Sequence, residues 1–453
     1  MTSATSIRAE RTAAVDGRAL RKQVPRSAHG EWHPPKQRKN PVTVLQKQAK
    51  TRVPDLVPIR YARMATGPFP FYRGAPAIMA ADLAECPRTE LTVQLCGDAH
   101  LSNFGLFASP ERELVFDVND FDETLPGPFE WDVKRLAASV TVAVRANGGT
   151  DAQAQTAVLA GVRGYRETMH RMAGLDAMSV WYERTDAQAV EDLMHKVRFR
   201  KGVKKIIADA RARTSAQALQ KLTDPGPDGP RIRNNEPFVV ETTDAEKSVI
   251  DIAYLDYRRT LAEERRPLLD RYRLVDSARK VVGVGSVGTR CYIVLLEDLH
   301  TGDPLFLQAK QAEESVLTPY LKPSRFRHQG HRVVYGQRLM QASSDVLLGW
   351  AAGVQDRYYY LRQLRDMKGS VVLEEMSAPV LAAYAELCGG TLACAHARSG
   401  DRVQIAAYLG HGETFDKAIA EFAHAYADQT LTDYATMLGA IDSGRIQAAA
   451  EAY

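Results

Sequence analysis

The 453-residue chain predicts an α+β fold in two lobes, a helical lobe built from two separated stretches with a sheet-rich lobe inserted between them. Three observations carry this expectation. Helical periodicity fills much of residues 130–270 and returns after 367. Between those stretches, β-branched and aromatic residues alternate in short runs separated by turn signals. A polar acidic loop near residue 100 and a glycine-rich loop near residue 285 fall in different lobes, as the two walls of a cleft would. The expected organisation is a basic, poorly ordered arm over 1–50, a first helical stretch over 51–270, a sheet lobe over 271–366, and helices over 367–453 that complete the first stretch.

The elements follow in chain order. Residues 1–50 carry 11 Lys and Arg against 3 Asp and Glu and the step Pro34-Pro35, a composition that suits a solvated arm or a dock for an acidic partner. Leu91 to Cys96 and Glu113 to Asn119 read as short buried strands. Glu130 to Arg145 reads as a helix with Val133, Leu136, Ala137 and Val140 on one face. Residues 151–222 are helical in pattern and include the basic stretch Lys196 to Arg213. The run Pro225-Gly226-Pro227-Asp228-Gly229-Pro230 is a breaker. Ala245 to Tyr272 suits a long charged helix. Lys280 to Val284, Arg290 to Glu297 and Pro304 to Lys310 read as strands, Gly330 to Ala342 as a helix, and Val346 to Ala351 and Tyr358 to Leu364 as strands. Helices return at Ala378 to His396, Thr414 to Asp428 and Thr430 to Ile441.

Composition narrows the function classes. The net charge of +4 sits in the first 50 residues, so the body is not basic and offers no case for nucleic acid. No uninterrupted apolar run approaches the ~18 residues of a membrane span, and no membrane role is expected. The five cysteines are odd in number and lack metal-ligand spacing, which suits a reduced cytoplasm.

The chemistry lies in two motifs. Gly97-Asp98-Ala99-His100-Leu101-Ser102-Asn103 places an Asp and an Asn five residues apart in a polar loop, and Phe116-Asp117-Val118-Asn119-Asp120-Phe121-Asp122 follows on a strand. Phosphoryl transfer needs a carboxylate to orient a hydroxyl and take its proton, and oxygen ligands for magnesium or manganese at the phosphates. Asp98 suits the first role; Asn103 and Asp120, then Asp122, suit the second. The plain alternative is a turn capped by Asp98 and Asn103. His100 suits a phosphate, a metal or a loop hydrogen bond. Asp132 either braces the acidic loop through Lys134 or Arg135 or favours its helix N-terminus.

Gly283-Val284-Gly285-Ser286-Val287-Gly288 matches G-x-G-x-x-G, and the β-branched Thr289 to Leu296 places it between two strands rather than before a helix. That is the setting in which Gly283, Gly285, Ser286 and Gly288 cover nucleotide phosphates; a plain hairpin turn is the alternative. Lys310 ends the strand Phe306-Leu307-Gln308-Ala309 and suits a phosphate partner or an exposed strand end. The helix Gly330 to Ala342 holds no acid that could pair with it. Arg60, Arg63 and Arg73 flank Gly67-Pro68-Phe69-Pro70-Phe71-Tyr72, and suit either an acidic substrate or a structural arginine–carboxylate network.

Leu95 to Phe107, Phe116 to Thr124, Trp131 to Ser139 and Tyr360 to Ser370 together resemble an uncharacterised bacterial family, domain of unknown function 2252, over about Val53 to Asp433. That family is similar to protein kinases and aminoglycoside phosphotransferases, the latter visible in Gly97-Asp98-x-His100-x-x-Asn103 followed by Asp120-Phe121-Asp122. The resemblance implies a two-lobed protein-kinase-like fold, permuted in sequence, that binds ATP. His396-Ala397-Arg398-Ser399-Gly400-Asp401 superficially matches a kinase signature but lacks the following Asn, so catalysis is assigned to Asp98 and His396 to helix-end packing. The expected activity is an ATP-dependent phosphotransferase with magnesium or manganese, moving phosphate or AMP to a small-molecule or protein hydroxyl. A silent nucleotide sensor and a metal-dependent phosphoesterase are the competing classes.

Overall fold

The computed structural model describes residues 15–196, 200–227, 229–364, 367–369 and 371–450, and its mixed helix and sheet content is α+β. Its largest regular feature is a six-stranded antiparallel sheet, in the order Gly349–Ala352, Tyr358–Gln363, Pro304–Ala312, Cys291–Asp298, Tyr272–Lys280 and Val239–Glu241. Period-2 alternation gives the sheet two faces. Tyr292, Val294, Leu296, Leu305 and Leu307 pack one face under Tyr257 of the helix Asp244–Thr260. Ile293, Leu295 and Phe306 pack the other with Ala218 of the helix Ser215–Leu222. The same alternation carries Gln308 and Lys310 on the Phe306 face, with Tyr360 opposite Lys310 and Arg362 opposite Gln308 on the neighbouring strand.

A second body is helical. The helices Phe129–Ala146, Asp151–Ala173, Ala378–Ser399 and Thr414–Asp442 share one large apolar core. Close approach of Asp151–Ala173 and Ala378–Ser399 depends on glycine, since a Cβ at Gly389 would lie 2.0 Å from the Gly161 carbonyl oxygen. The helix Ala378–Ser399 is long and apolar enough to cross a membrane, which corrects the expectation of no such segment; most of it is buried inside this core.

Several sequence expectations are corrected. Over residues 15–50 the arm is not loose. Asn40 caps the helix Pro41–Ala49, Trp32 packs on Phe422 and Tyr426, and His29 meets the Tyr408 hydroxyl at 2.7 Å. Arg38 bridges Asp82 at 2.7 Å and Asp433 at 2.6 Å. Residues 1–14 lie outside the described residues, as does part of the stretch Lys196 to Arg213. The breaker at Pro225 is the turn of a hairpin pairing Thr223–Gly226 with Gly229–Ile232. The helix expected to reach Tyr272 ends at Thr260, and Tyr272 opens a strand that ends at Lys280, before the expected Val284. Thr414 to Ile441 is one helix rather than two.

Candidate functional site

The acidic loop sits between two small β ladders. Thr92–Leu95 pairs with Leu125–Pro128, and Phe104–Ala108 pairs with Leu114–Val118. Gly97 turns the chain with φ +83°, and a Cβ there would lie 2.4 Å from the Glu123 carbonyl oxygen. Asp132 holds the loop from below, accepting from the Cys96 amide at 2.8 Å and the Gly97 amide at 3.0 Å. His396 Nε2 lies 3.3 Å from Asp132, and Tyr165 lies 2.9 Å from His396 Nδ1. Asp132 therefore braces the loop with its own carboxylate rather than through Lys134 or Arg135, and His396 supports it rather than packing idly.

Asp98 borders a cleft of about 380 Å³ whose lining includes Asn103, Asp120, Asp122, Gly283, Gly285, Ser286 and Lys310. Residues 190 apart in sequence, Asp120 and Lys310, thus face one space. Gly288 does not line it. With φ +91° it turns the chain against Arg52, and its carbonyl accepts from the Val53 amide at 2.8 Å. The glycine loop closes on itself through Ser286 N–H to the Gly283 carbonyl at 2.9 Å. It presents its Gly285 carbonyl to Arg52 at 3.0 Å and its Val282 carbonyl to Arg63 at 2.7 Å.

Arg135 donates to Asp98 at 2.8 Å, stacks 3.9 Å from the Tyr72 ring centroid, and donates to the Tyr72 carbonyl at 2.8 Å. Burial raises the Asp98 carboxyl above its usual range, and Arg135 opposes that. His100 is buried with Nδ1 unpartnered, and burial, then Arg73 and Arg135, hold it neutral.

Asn103 ties the acidic loop to the segment that carries Asp120. Its Oδ1 accepts from the Asp120 amide at 2.7 Å, and its Nδ2 donates to the Asp98 and Asp120 carbonyls at 3.0 Å. The side chain staples the two acidic segments together at the wall of the cleft.

Lys310, 3% exposed, bonds Asp120 at 3.1 Å and forms a tighter ion pair with Asp122. This supplies the partner that the acid-free helix could not. That helix, Gln329–Met340, sends in Arg332 instead, which donates to the Asp122, Thr124 and Glu313 carbonyls at 2.7–2.8 Å. Tyr360 donates to Asp122 at 2.9 Å, and Arg362 to the Asn119 carbonyl at 2.8 Å. Burial would raise Asp120, but Lys310 and then Arg362 outweigh it and hold it ionised. Burial and the Asp120 charge raise Asp122. Burial works against the Lys310 ammonium, and the two carboxylates overcome it. Lys368 also lines the cleft, and burial with the Arg362 charge lowers it to about 7.

Asp117 is not a site residue. It accepts from the Val118 and Ala342 amides inside the protein. Among the described residues no group of three or more His, Cys, Asp and Glu side chains could hold a metal ion alone. Asp120 and Asp122 nonetheless fit magnesium. That ion takes one or two carboxylates and leaves the rest of its shell to phosphate oxygens and water, and the Asp120 side chain is 42% exposed to the cleft.

A mixed α+β protein with a charged cleft between sheet and helices is the class these observations define. Residues 52–440 match a family described as an uncharacterized protein conserved in bacteria, DUF2252, and the chain belongs to it. No match was found among curated proteins or among solved structures.

Proposed function

We propose that the protein is an ATP-dependent phosphotransferase of kinase-like type, with its nucleotide-binding sheet inserted between the parts of its helical lobe. One observation carries the reading. The glycine loop, Lys310, Asp98, Asp120 and Asp122 line a single cleft although they come from distant parts of the chain. Asp98 takes the proton of the acceptor hydroxyl, whose oxygen forms a bond to the γ-phosphorus as the bond to the β–γ bridging oxygen breaks and ADP departs. Lys310 and Arg362 hold Asp120 ionised and face the phosphates. Asp120 and Asp122 would hold magnesium, which would supply charge neutralisation at the phosphates when bound.

The test pairs binding with turnover. Magnesium-ATP raises the melting temperature of the wild type, and Asp120→Ala removes most of that shift. Label from γ-labelled ATP passes to a component of a cell lysate. An unchanged melting curve across millimolar nucleotide sinks the proposal. A second reading, a catalytically silent nucleotide sensor, draws support from Asn103, whose amide is committed to the backbone. It predicts binding without transfer to any fraction.

A further inference from the structure

We propose that Arg52, Arg60 and Arg73 form a second anion site in the cleft, beside Asp98, and that it receives a phosphate group carried by the acceptor. The acceptor is then a phosphorylated hydroxyl compound. The word acceptor rests on the phosphotransferase reading; the anion site rests on the arginines alone.

All three guanidiniums border the cleft. Arg60 is 0% exposed. Its Nη2 donates to the Gly74 carbonyl at 2.7 Å and to Gln48 at 3.2 Å, while Nε and Nη1 have no partner. Nε of Arg52 and Nε of Arg73 are likewise unpartnered. Idle donors on a buried guanidinium are costly and call for an explanation. The structural arginine–carboxylate network open at the sequence level does not supply one. Arg52 and Arg60 bond carbonyl and amide oxygens only, and among the described residues none of the three makes an ion pair. Asp98, Glu374 and Asp120 act on Arg73 from beyond ion-pairing distance. Burial and the Arg52 charge both weigh on the Arg60 guanidinium.

Cations packed without acids bind what neutralises them, and the guanidinium fork matches phosphate. The site abuts the glycine loop, where Arg52 donates to the Gly285 carbonyl, and stands apart from the cations of the sheet. Lys310 and Arg362 lie on the six-stranded sheet, from which Lys310 reaches Asp120 and Asp122 on the segment after Leu114–Val118, whereas Arg60 and Arg73 stand on helices and Arg73 neighbours Asp98, the hydroxyl-facing acid. A multiply cationic acceptor such as an aminoglycoside meets like charge here.

The experiment titrates inorganic phosphate, and acetate at matched ionic strength, into the full chain, alone and saturated with magnesium and a non-hydrolysable ATP analogue. Calorimetry and melting temperature are the readouts. The expected result is phosphate binding in both states, little response to acetate, and analogue affinity within about twofold of wild type in Arg73→Gln. That variant weakens phosphate about tenfold or more, the worth of one charge-assisted hydrogen bond. Arg60→Lys keeps the charge, removes the fork, and gives a similar loss if Arg60→Gln does not fold. Displacement of phosphate by the analogue overturns the proposal, because the arginines then serve the nucleotide. Equal binding in the variants, an equal response to acetate, or no phosphate binding overturns it as well. If the analogue fails to bind while Arg73-dependent phosphate binding persists, the phosphotransferase reading falls and the anion site stands.

Discussion

Two populations of buried arginine divide this molecule. In the helical body Arg38 is clamped by Asp82 and Asp433, and Arg166 by Asp416 at 2.9 Å. On the cleft wall Arg52 and Arg60 bond carbonyls and an amide, and neither they nor Arg73 is ion-paired to a carboxylate among the described residues. The first kind completes its own electrostatics within the fold. The second leaves positive charge unbalanced in the wall of a cleft. The difference teaches where to look for a ligand: a buried cation with a buried acid is architecture, and one without is an unfinished contact.

The sharpest way to break this contrast is stability. Arg38→Ala strands Asp82 and Asp433, both nearly inaccessible, and should cost about 3–5 kcal/mol in denaturant unfolding. Arg73→Gln removes an unpaired charge and should change stability by less than about 1 kcal/mol. Equal losses would erase the distinction. Next in size is Asp98→Asn, which keeps shape but removes the acid. Turnover should fall ~10²-fold or more with nucleotide affinity nearly unchanged, measured by labelled transfer beside calorimetry. A parallel loss of affinity would move Asp98 to the nucleotide side.

Lys310→Met should weaken magnesium-ATP about tenfold, because it removes a phosphate partner and leaves Asp120 and Asp122 repelling each other. Unaltered affinity would make Lys310 a purely structural cation, like Arg38. The smallest effect concerns protons. Lys368 stands near 7 in the free protein, so above that pH it is largely neutral. Phosphates bound nearby favour its charged form and raise it. Nucleotide binding at pH 8 should then take up a proton, and affinity should fall severalfold as pH rises above about 7. Calorimetry in buffers of different ionisation enthalpy reads the uptake directly, and Lys368→Met should abolish it.

Much of the site was legible because its key residues are local in sequence. Asp98 with Asn103, and Asp120 with Asp122, lie on short loops beside hydrophobic runs, and Lys310 ends an obvious strand. Tyr360 and Arg362 were missed as site residues because only the pairing of Lys310 with Tyr360 and of Gln308 with Arg362 brings them there. Arg332 was missed, and Arg135 was read only as one possible brace of the loop, because a helix interior gives no sign of which way a guanidinium turns. The bonds that Asn103 makes inside the protein were not read from the sequence for a related reason. Spacing says that an amide is near, and the partner of its oxygen is an amide 17 residues away. In the first 50 residues, polar composition outweighed two local signs of order, Trp32 and the Asn40-Pro41 cap signature. The acids that tie Arg38 down lie 44 and 395 residues off.

The Asn103 staple has a consequence in time. One side chain bonds the backbone on both sides, and the Asn103 carbonyl also accepts from the Asn119 amide at 2.9 Å. The loop carrying Asp98 and the segment carrying Asp120 therefore cannot breathe separately; exposing either amide breaks the same knot. Hydrogen exchange at Asn119 and Asp120 should proceed through one shared opening event. The lifetime of that single closed state then sets how long both acids stay in register for any molecule that enters between them.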